Sequence, residues 1–238
     1  MELLTYEEKE RVFEEAAKAV NAMLERQFGG PLLFLISGGS SLGLLDSIRP
    51  EFLGSHMTIA VSDERFNTDP QVNNLLQVKS TSFFRHANER GCAVIDTLPY
   101  PEEKLEEFGK RFDAALKDWR TKNPNGSVVM TQGVGPDGHT CGIMPFPHDR
   151  TKFTTLFENK EVWAVGYDAH GKNEYPLRVT VTLPFLREQV VESVVYAVGG
   201  NKKTALEHMM KKEGEFYKVP AFILREMKNV TVFTDQQV

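Results

Sequence analysis

A glycine-rich turn near the middle of the chain carries an aspartate and a histidine two residues apart. Asp137 and His139 lie in residues 133–140 (GVGPDGHT), directly after a short apolar run that is typical of a buried strand. A histidine placed there, near backbone N–H donors, can act as a general base near neutral pH. The sequence therefore predicts a catalytic histidine at position 139, with Asp137 beside it.

The same turn matches the G-x-G-x-x-G fingerprint of dinucleotide-binding loops. That fingerprint requires a helix to begin within the glycines and an acid about 20 residues further on, at the end of the next strand. Here Pro145 and Pro147 interrupt whatever follows, and Glu158 lies before the next apolar run. The context excludes a dinucleotide site, and no cofactor is expected.

A second glycine loop, residues 37–41 (SGGSS), follows the first apolar run and leads into a segment that can start a helix. Gly38 and Gly39 let the backbone turn its N–H groups towards a ligand, and a helix N-terminus adds partial positive charge. With Ser40, these residues predict a phosphate cradle.

Residues 39–43 also match the G-x-S-x-G nucleophile elbow of serine hydrolases, but that motif needs an acid and then a histidine downstream. The last histidine, His208, lies inside an apparent helix.

Charged residues follow or open other apolar runs. Asp63, Glu64 and Arg65 end the second run, where they form either a solvated loop or contacts to a ligand, since burying them unpaired is costly. Arg178 opens a later run, and Lys203 lies in the first turn of the last helix. A cation there is unfavourable with the helix dipole unless an anion is present. Exposed surface positions are the alternative for both.

The elements that must position these loops are short apolar runs alternating with helical patterns. Strands are predicted at 32–36, 57–61, 92–95, 128–131, 162–166, 178–183, 194–198 and 230–233. Helices are predicted from a capping box at Thr5 and Glu8 to near Gly29, over 102–119 and over 202–211. This alternation indicates a mostly parallel α/β sheet covered on both faces, with ligands at the carboxyl ends of the strands.

The composition narrows the classes of protein that are possible. Of the 238 residues, 41% are hydrophobic and 26% are charged, as in globular proteins, and no linker or repeat divides residues 1–238, so one catalytic domain is expected. A net charge of −5 offers no basic field for nucleic acid or a membrane surface. Two cysteines, Cys92 and Cys141, provide no disulfide framework and no metal cluster. With an acidic N-terminus and no long apolar run, a cytoplasmic protein is expected.

Five segments, taken in order, resemble the family that joins 6-phosphogluconolactonases and glucosamine-6-phosphate deaminases. They are residues 37–40 (SGGS), 63–65 (DER), 133–140 (GVGPDGHT), 178–184 (RVTVTLP) and 200–206 (GNKKTAL). The resemblance implies a Rossmann-like three-layer α/β/α sandwich and a sugar-phosphate substrate. We expect a monomer or small homo-oligomer that needs no metal.

The resemblance also implies roles for individual residues. Its phosphate-binding residues are Gly38, Gly39, Ser40, Arg178 and Lys203. It makes His139 the catalytic group, with Asp137 and Arg65 lining the site. Asp63 and Gly138 belong to the same predicted substrate site.

The stretch after the histidine separates the two branches of the family. Deaminases carry a glutamate there, whereas residues 140–146 (TCGIMPF) contain no carboxylate. Opening and isomerising an amino sugar needs a further acid–base group, unless Asp63 supplies it, while lactone hydrolysis needs a base, an oxyanion site and a proton for the leaving oxygen. Hydrolysis of 6-phospho-D-glucono-1,5-lactone is therefore the predicted activity. A deaminase and a non-catalytic sugar-phosphate-binding regulator are the alternatives.

Overall fold

The computed structural model describes all 238 residues. Its strands are β1 (Glu2–Thr5), β2 (Leu32–Ile36), β3 (Met57–Val61), β4 (Asp63–Arg65), β5 (Ala93–Val94), β6 (Ser127–Gln132), β7 (Ala164–Asp168), β8 (Leu177–Val181), β9 (Val190–Ala197) and β10 (Val230–Thr234). Its α-helices are α1 (Lys9–Arg26), α2 (Asn74–Lys79), α3 (Ser82–Glu89), α4 (Leu105–Lys122), α5 (Arg150–Phe157), α6 (Leu183–Gln189) and α7 (Lys203–Met210). Short 3₁₀ segments occupy Gly39–Ser47, Pro50–Phe52, Gly200–Lys202 and Pro220–Arg225. No helix combines the length and the apolar character needed to cross a membrane.

Seven strands form one parallel sheet in the order β1-β10-β9-β6-β2-β3-β5. Because side chains alternate along a strand, β2 sends Leu33 and Leu35 to one hydrophobic cluster and Leu32, Phe34 and Ile36 to another. Helices α4 to α7 contribute buried side chains to the first cluster, and α1 to α3 contribute to the second. The predicted three-layer α/β/α sandwich with a mostly parallel sheet is confirmed.

All eight predicted strands are present, with their ends shifted by up to four residues. Two of them do not join the parallel sheet. β7 and β8 pair antiparallel in a separate three-stranded sheet of order β4-β8-β7. Its third strand, β4, is the charged segment 63–65, which the sequence indicated only as the end of β3.

The prediction of a capping box at the N-terminus, formed by Thr5 and Glu8, is wrong. Thr5 is the last residue of β1 and pairs with Thr234 of β10, and α1 begins only at Lys9. Glu8 precedes that helix without a capping hydrogen bond from its side chain. The backbone of β1 finds its partners in a strand at the other end of the chain, which no local pattern can indicate.

Glu64 connects β4 to the start of α2. Its side chain is 1% exposed, and Oε1 accepts the backbone N–H groups of Arg65 (2.7 Å) and Asn74 (2.6 Å). Oε2 accepts from the backbone N–H of Leu75 (2.9 Å) and the hydroxyl of Thr97 (3.2 Å). Burial raises the pKa of Glu64 to about 8, because the loss of water outweighs the three N–H donors, which lower it.

This raised pKa predicts how stability depends on pH. The folded protein keeps the Glu64 proton to about pH 8, whereas the unfolded chain releases it near the ordinary value of 4.5. The stability that Glu64 contributes should therefore fall as the pH rises through that window, by up to about 1.4 kcal/mol per pH unit. We expect Glu64→Gln, which cannot titrate, to lack this fall in urea unfolding measured from about pH 5 to about pH 8.

Glu107→Gln provides the control, since Glu107 is exposed and also accepts a backbone N–H, that of Lys104 at 2.9 Å. It should follow the pH profile of the parent protein. A constant difference between parent and Glu64→Gln at every pH would contradict the raised pKa.

Candidate active site

A cavity of about 240 Å³ opens where β2, β3, β6 and β9 end. Each of these strands runs into a segment that lines the cavity, as expected for the carboxyl edge of a parallel sheet. Only two of the fifteen lining residues, Val134 and Cys141, are hydrophobic. The cavity therefore suits a small polar ligand.

The loop after β2 presents open backbone to the cavity. Gly39 has φ 74°, in the left-handed region that favours glycine, and nothing lies within 4 Å of where its side chain would be. A Cβ at Gly38 would overlap the side-chain amide of Asn74. The 3₁₀ helix begins at Gly39, and the first N–H groups of a helix have no partner inside it. Gly38, Gly39 and Ser40 all line the cavity.

Ser41, the central serine of the G-x-S-x-G pattern, is buried and does not line the cavity. Its hydroxyl donates to the carbonyl oxygens of Ser37 (3.1 Å) and Gly38 (3.2 Å). His208 is exposed on α7 and is also absent from the cavity wall. This geometry excludes a nucleophile elbow at Ser41.

His139 lies on the cavity wall and is paired with Asp137. The Nδ1 of His139 is 2.5 Å from Oδ1 of Asp137, which also accepts the backbone N–H of His139 at 3.2 Å. Burial alone would raise the pKa of Asp137, but the hydrogen bonds and charge of His139 outweigh it and hold that pKa below its ordinary value. With the Nδ1 hydrogen donated to the carboxylate, the neutral ring carries its lone pair on Nε2. The pair can therefore accept a proton.

Gly138 shapes the turn but does not line the cavity. It has φ 81°, its N–H donates to the carbonyl of Gly135 (3.0 Å), and its own carbonyl accepts from Ala221 (2.9 Å). A Cβ on Gly135 would overlap the imidazole of His139. These glycines allow the backbone to pass close behind the histidine.

Asp63 and Arg178 form a buried ion pair on the cavity wall. Nη1 of Arg178 is 3.0 Å from Oδ2 of Asp63, and the two residues are 4% and 5% exposed. Their strands, β4 and β8, are paired in the small sheet, with Arg65 opposite Arg178. Each charge therefore has a partner of opposite sign within hydrogen-bond distance, which a buried ion pair needs in order to be tolerated.

Two guanidinium groups leave donors unused beside the cavity. Arg65 donates through Nη1 to the carbonyl of Val72 (2.8 Å), but its Nε has no partner. The Nε of Arg178 is also buried without a partner. Unpaired buried donors are rare in folded proteins, and donors on cations suit an anionic ligand.

The third cation of the cavity is Lys202, and Lys203 does not line it. Lys202 ends the 3₁₀ turn after β9, where burial lowers its pKa and the nearby charge of Asp137 acts in the opposite direction. Lys203 begins α7 and is exposed. Neighbouring residues in a helical turn point about 100° apart, so one of two adjacent lysines faces the cavity and the other does not.

Most of the predicted site residues are thus brought together. The seven that line the cavity are Gly38, Gly39, Ser40, Asp63, Arg65, His139 and Arg178, and Asp137 joins them through His139. Sequence reasoning missed Lys202, Asn74, Cys141 and Asn173. A search for Gly-x-x-Lys from Gly199 would have found Lys202, but nothing in the local sequence marks the other three. No group of three or more His, Cys, Asp or Glu side chains is arranged to hold a metal ion.

Known proteins are similar to this chain over most of its length. The model of the family described as glucosamine-6-phosphate isomerases/6-phosphogluconolactonase matches residues 7–233. Bovine 6-phosphogluconolactonase is 32% identical over 200 residues, which cover 80% of this chain and 72% of the bovine protein.

Solved structures share the fold at low sequence identity. The 6-phosphogluconolactonase of Trypanosoma cruzi has a TM-score of 0.75 at 18% identity, covering 98% of this chain and 93% of that one. A monomeric glucosamine-6-phosphate deaminase has a TM-score of 0.73 at 14% identity, covering 98% and 97%. These likenesses show a common architecture and do not separate the two activities. The match over nearly the whole sequence, together with the bovine relative, shows that this chain belongs to the glucosamine-6-phosphate isomerase/6-phosphogluconolactonase family.

Proposed function

We propose that the protein hydrolyses 6-phospho-D-glucono-1,5-lactone to 6-phosphogluconate. The observation that carries this proposal is the Asp137–His139 pair on the wall of a cavity that also presents the cations Arg65, Arg178 and Lys202. A base and an anion-binding region in one polar cavity are what hydrolysis of a phosphorylated lactone requires. The name of the bovine relative supports the same reaction.

The phosphate is bound by the loop of Gly38, Gly39 and Ser40 together with Arg178 and Lys202. Supporting this assignment are the open backbone at Gly39, the position of Arg178 on the cavity wall and the partly buried Lys202 on the same wall. We place Lys202 in the role that the sequence suggested for Lys203, because only Lys202 lines the cavity.

In the proposed reaction, Nε2 of His139 takes a proton from water, and the resulting hydroxide attacks the lactone carbonyl carbon. Asp137 keeps the imidazole oriented and stabilises its positive charge. Arg65, which lines the cavity, stabilises the oxyanion of the tetrahedral intermediate with its positive charge. As the bond from the carbonyl carbon to the ring oxygen breaks, His139 returns the proton to that oxygen. The new carboxylic acid releases its own proton to solvent.

The deaminase alternative lacks a free second acid–base group. Residues 140–146 contain no carboxylate. Asp63 is the carboxylate that lines the cavity, and its side chain is already paired with Arg178 at 3.0 Å. This arrangement favours lactone hydrolysis over removal of a proton from carbon. A regulator that only binds sugar phosphates would have no use for the Asp137–His139 pair.

The first test is the reaction itself. Purified protein should accelerate hydrolysis of 6-phosphogluconolactone above the spontaneous rate, unchanged after chelator treatment, and should release no ammonia from glucosamine 6-phosphate. Both reactions are measured on the same sample. Ammonia release would transfer the assignment to the deaminase, and inactivity on both substrates would favour the binding regulator.

His139→Asn removes the proposed base. We expect kcat to fall by about 10²-fold or more while affinity for 6-phosphogluconate stays close to that of the parent protein, since general acid–base catalysis contributes that much. His170→Asn is the matched control, because Asp168 and His170 repeat the same spacing on an exposed turn. Normal turnover by His139→Asn would show that His139 is structural.

The adjacent lysines provide a paired test of the phosphate site. Lys202→Ala should weaken 6-phosphogluconate and inorganic phosphate alike by about 10- to 100-fold in calorimetry, because it removes a charge-assisted contact. Lys203→Ala carries the same change in charge one residue away and should bind both ligands normally. The opposite ranking would restore Lys203 to the phosphate site.

A further inference from the structure

The two arginines of the cavity are held by different kinds of contact. Arg178 is paired with the carboxylate of Asp63 at 3.0 Å, which compensates its charge. The hydrogen-bond partner of Arg65 is neutral, because its Nη1 donates to the backbone carbonyl of Val72 at 2.8 Å. This contact orients the guanidinium of Arg65 and leaves its positive charge available to a ligand in the cavity.

The second contact of the Arg65 guanidinium is the ring of Tyr175, whose centroid lies 5.8 Å from Cζ of Arg65. The face of an aromatic ring attracts a cation without neutralising it. Tyr175 lines a neighbouring cavity of about 190 Å³, which shares Arg65 with the cavity of the candidate active site. Tyr175 does not line the candidate active site itself. It can therefore act on the reaction only through Arg65.

The backbone on both sides of Tyr175 is held in place. The N–H of Tyr175 donates to Oδ1 of Asn173 at 3.1 Å, in the turn that asparagine forms with the residue two positions further on. On the other side, the carbonyl of Leu177 accepts from the N–H of Phe66 at 2.9 Å, and Phe66 directly follows Arg65. The turn before β8 is thus tied to the strand that carries Arg65, and it presents the ring of Tyr175 to the guanidinium.

We propose that Tyr175 is a positioning residue whose ring keeps the guanidinium of Arg65 in place for the oxyanion of the tetrahedral intermediate, an inference that rests on the proposed function. A cation that is oriented before the reaction needs no rearrangement when negative charge develops on the substrate. A carboxylate at position 175 would also orient Arg65, but it would compensate the charge that the intermediate needs. The ring of Tyr175 and the carbonyl of Val72 avoid this loss.

The test compares two substitutions of the same residue. Tyr175→Leu removes the aromatic face, and Tyr175→Phe keeps it. An exposed cation–π contact corresponds to about a 2- to 5-fold effect, so Tyr175→Leu should lower kcat for 6-phosphogluconolactone by about that factor, with KM within about twofold. Tyr175→Phe should have the kcat of the parent protein. Tyr100→Leu is the matched control, because the ring of Tyr100 lies 4.0 Å from Cζ of Arg111 and neither residue lines either cavity. It should also have the kcat of the parent.

A double-mutant cycle separates positioning of Arg65 from a general effect on the fold. In an Arg65→Gln background, Tyr175→Leu should leave kcat unchanged, because no guanidinium remains to be positioned. A fall in kcat of the same factor in both backgrounds overturns the proposal. A normal kcat for Tyr175→Leu in the parent background also overturns it.

A last measurement does not depend on activity. The Nε–Hε signal of Arg65 in a ¹H–¹⁵N NMR spectrum, assigned by its loss in Arg65→Lys, reports the aromatic ring beside the guanidinium. The signal should shift in Tyr175→Leu and stay close to that of the parent in Tyr175→Phe. An unshifted signal in Tyr175→Leu overturns the contact itself. If the signal shifts but the parent protein does not hydrolyse the lactone, the proposed function is wrong, and the role of Tyr175 in the reaction with it.

Discussion

Asp63 is buried at the wall of the cavity, and the positions of two other cavity residues depend directly on it. Its carboxylate pairs with Arg178, and its backbone carbonyl holds the amide of Asn74. A charge taken out of water is tolerated only when its partner is well placed. The pairing of β4 with β8 places Asp63 close to Arg178, so this strand pairing also fixes the geometry of the site. Removing either partner of such a pair leaves an uncompensated buried charge, which destabilises a fold by about 3–5 kcal/mol.

The electrostatics of the cavity differ from those of the chain as a whole. The protein carries a net charge of −5, yet its cavity gathers Arg65, Arg178 and Lys202 around the single carboxylate of Asp63. Coulomb interactions strengthen where water is excluded, so these few cations outweigh distant surface charge for a bound ligand. The Nε atoms of Arg65 and Arg178 have no hydrogen-bond partner within the protein, so internal pairing does not use all the donors of these two arginines.

The fold and the chemistry carry different information about this family. Lactonase and deaminase structures share the architecture with nearly equal TM-scores. Function therefore has to be argued from the side chains at the strand ends. The Asp137–His139 pair can move a proton, while Asp63, the remaining carboxylate of the wall, is engaged by Arg178. This division of roles is the reason to favour hydrolysis.

Several features could be predicted from the sequence because they depend on local patterns. Short apolar runs such as Leu32–Ile36 are typical of strands covered on both sides, and the glycine loops after them predicted residues that do line the cavity. The eight strands, and seven of the fifteen residues that line the cavity, followed from these patterns and from the motifs at the strand ends.

The tertiary structure alone decided the features that depend on distant partners. Segment 63–65 is a strand because β8 pairs with it, and Thr5 belongs to a strand because β10 does. Asn74 reaches the cavity because Glu64, ten residues earlier, binds the start of its helix. Which of the two adjacent lysines, Lys202 or Lys203, lines the cavity depends on the direction of one helical turn. A local pattern specifies which groups a segment offers, but the contacts that orient those groups form only when the chain has folded.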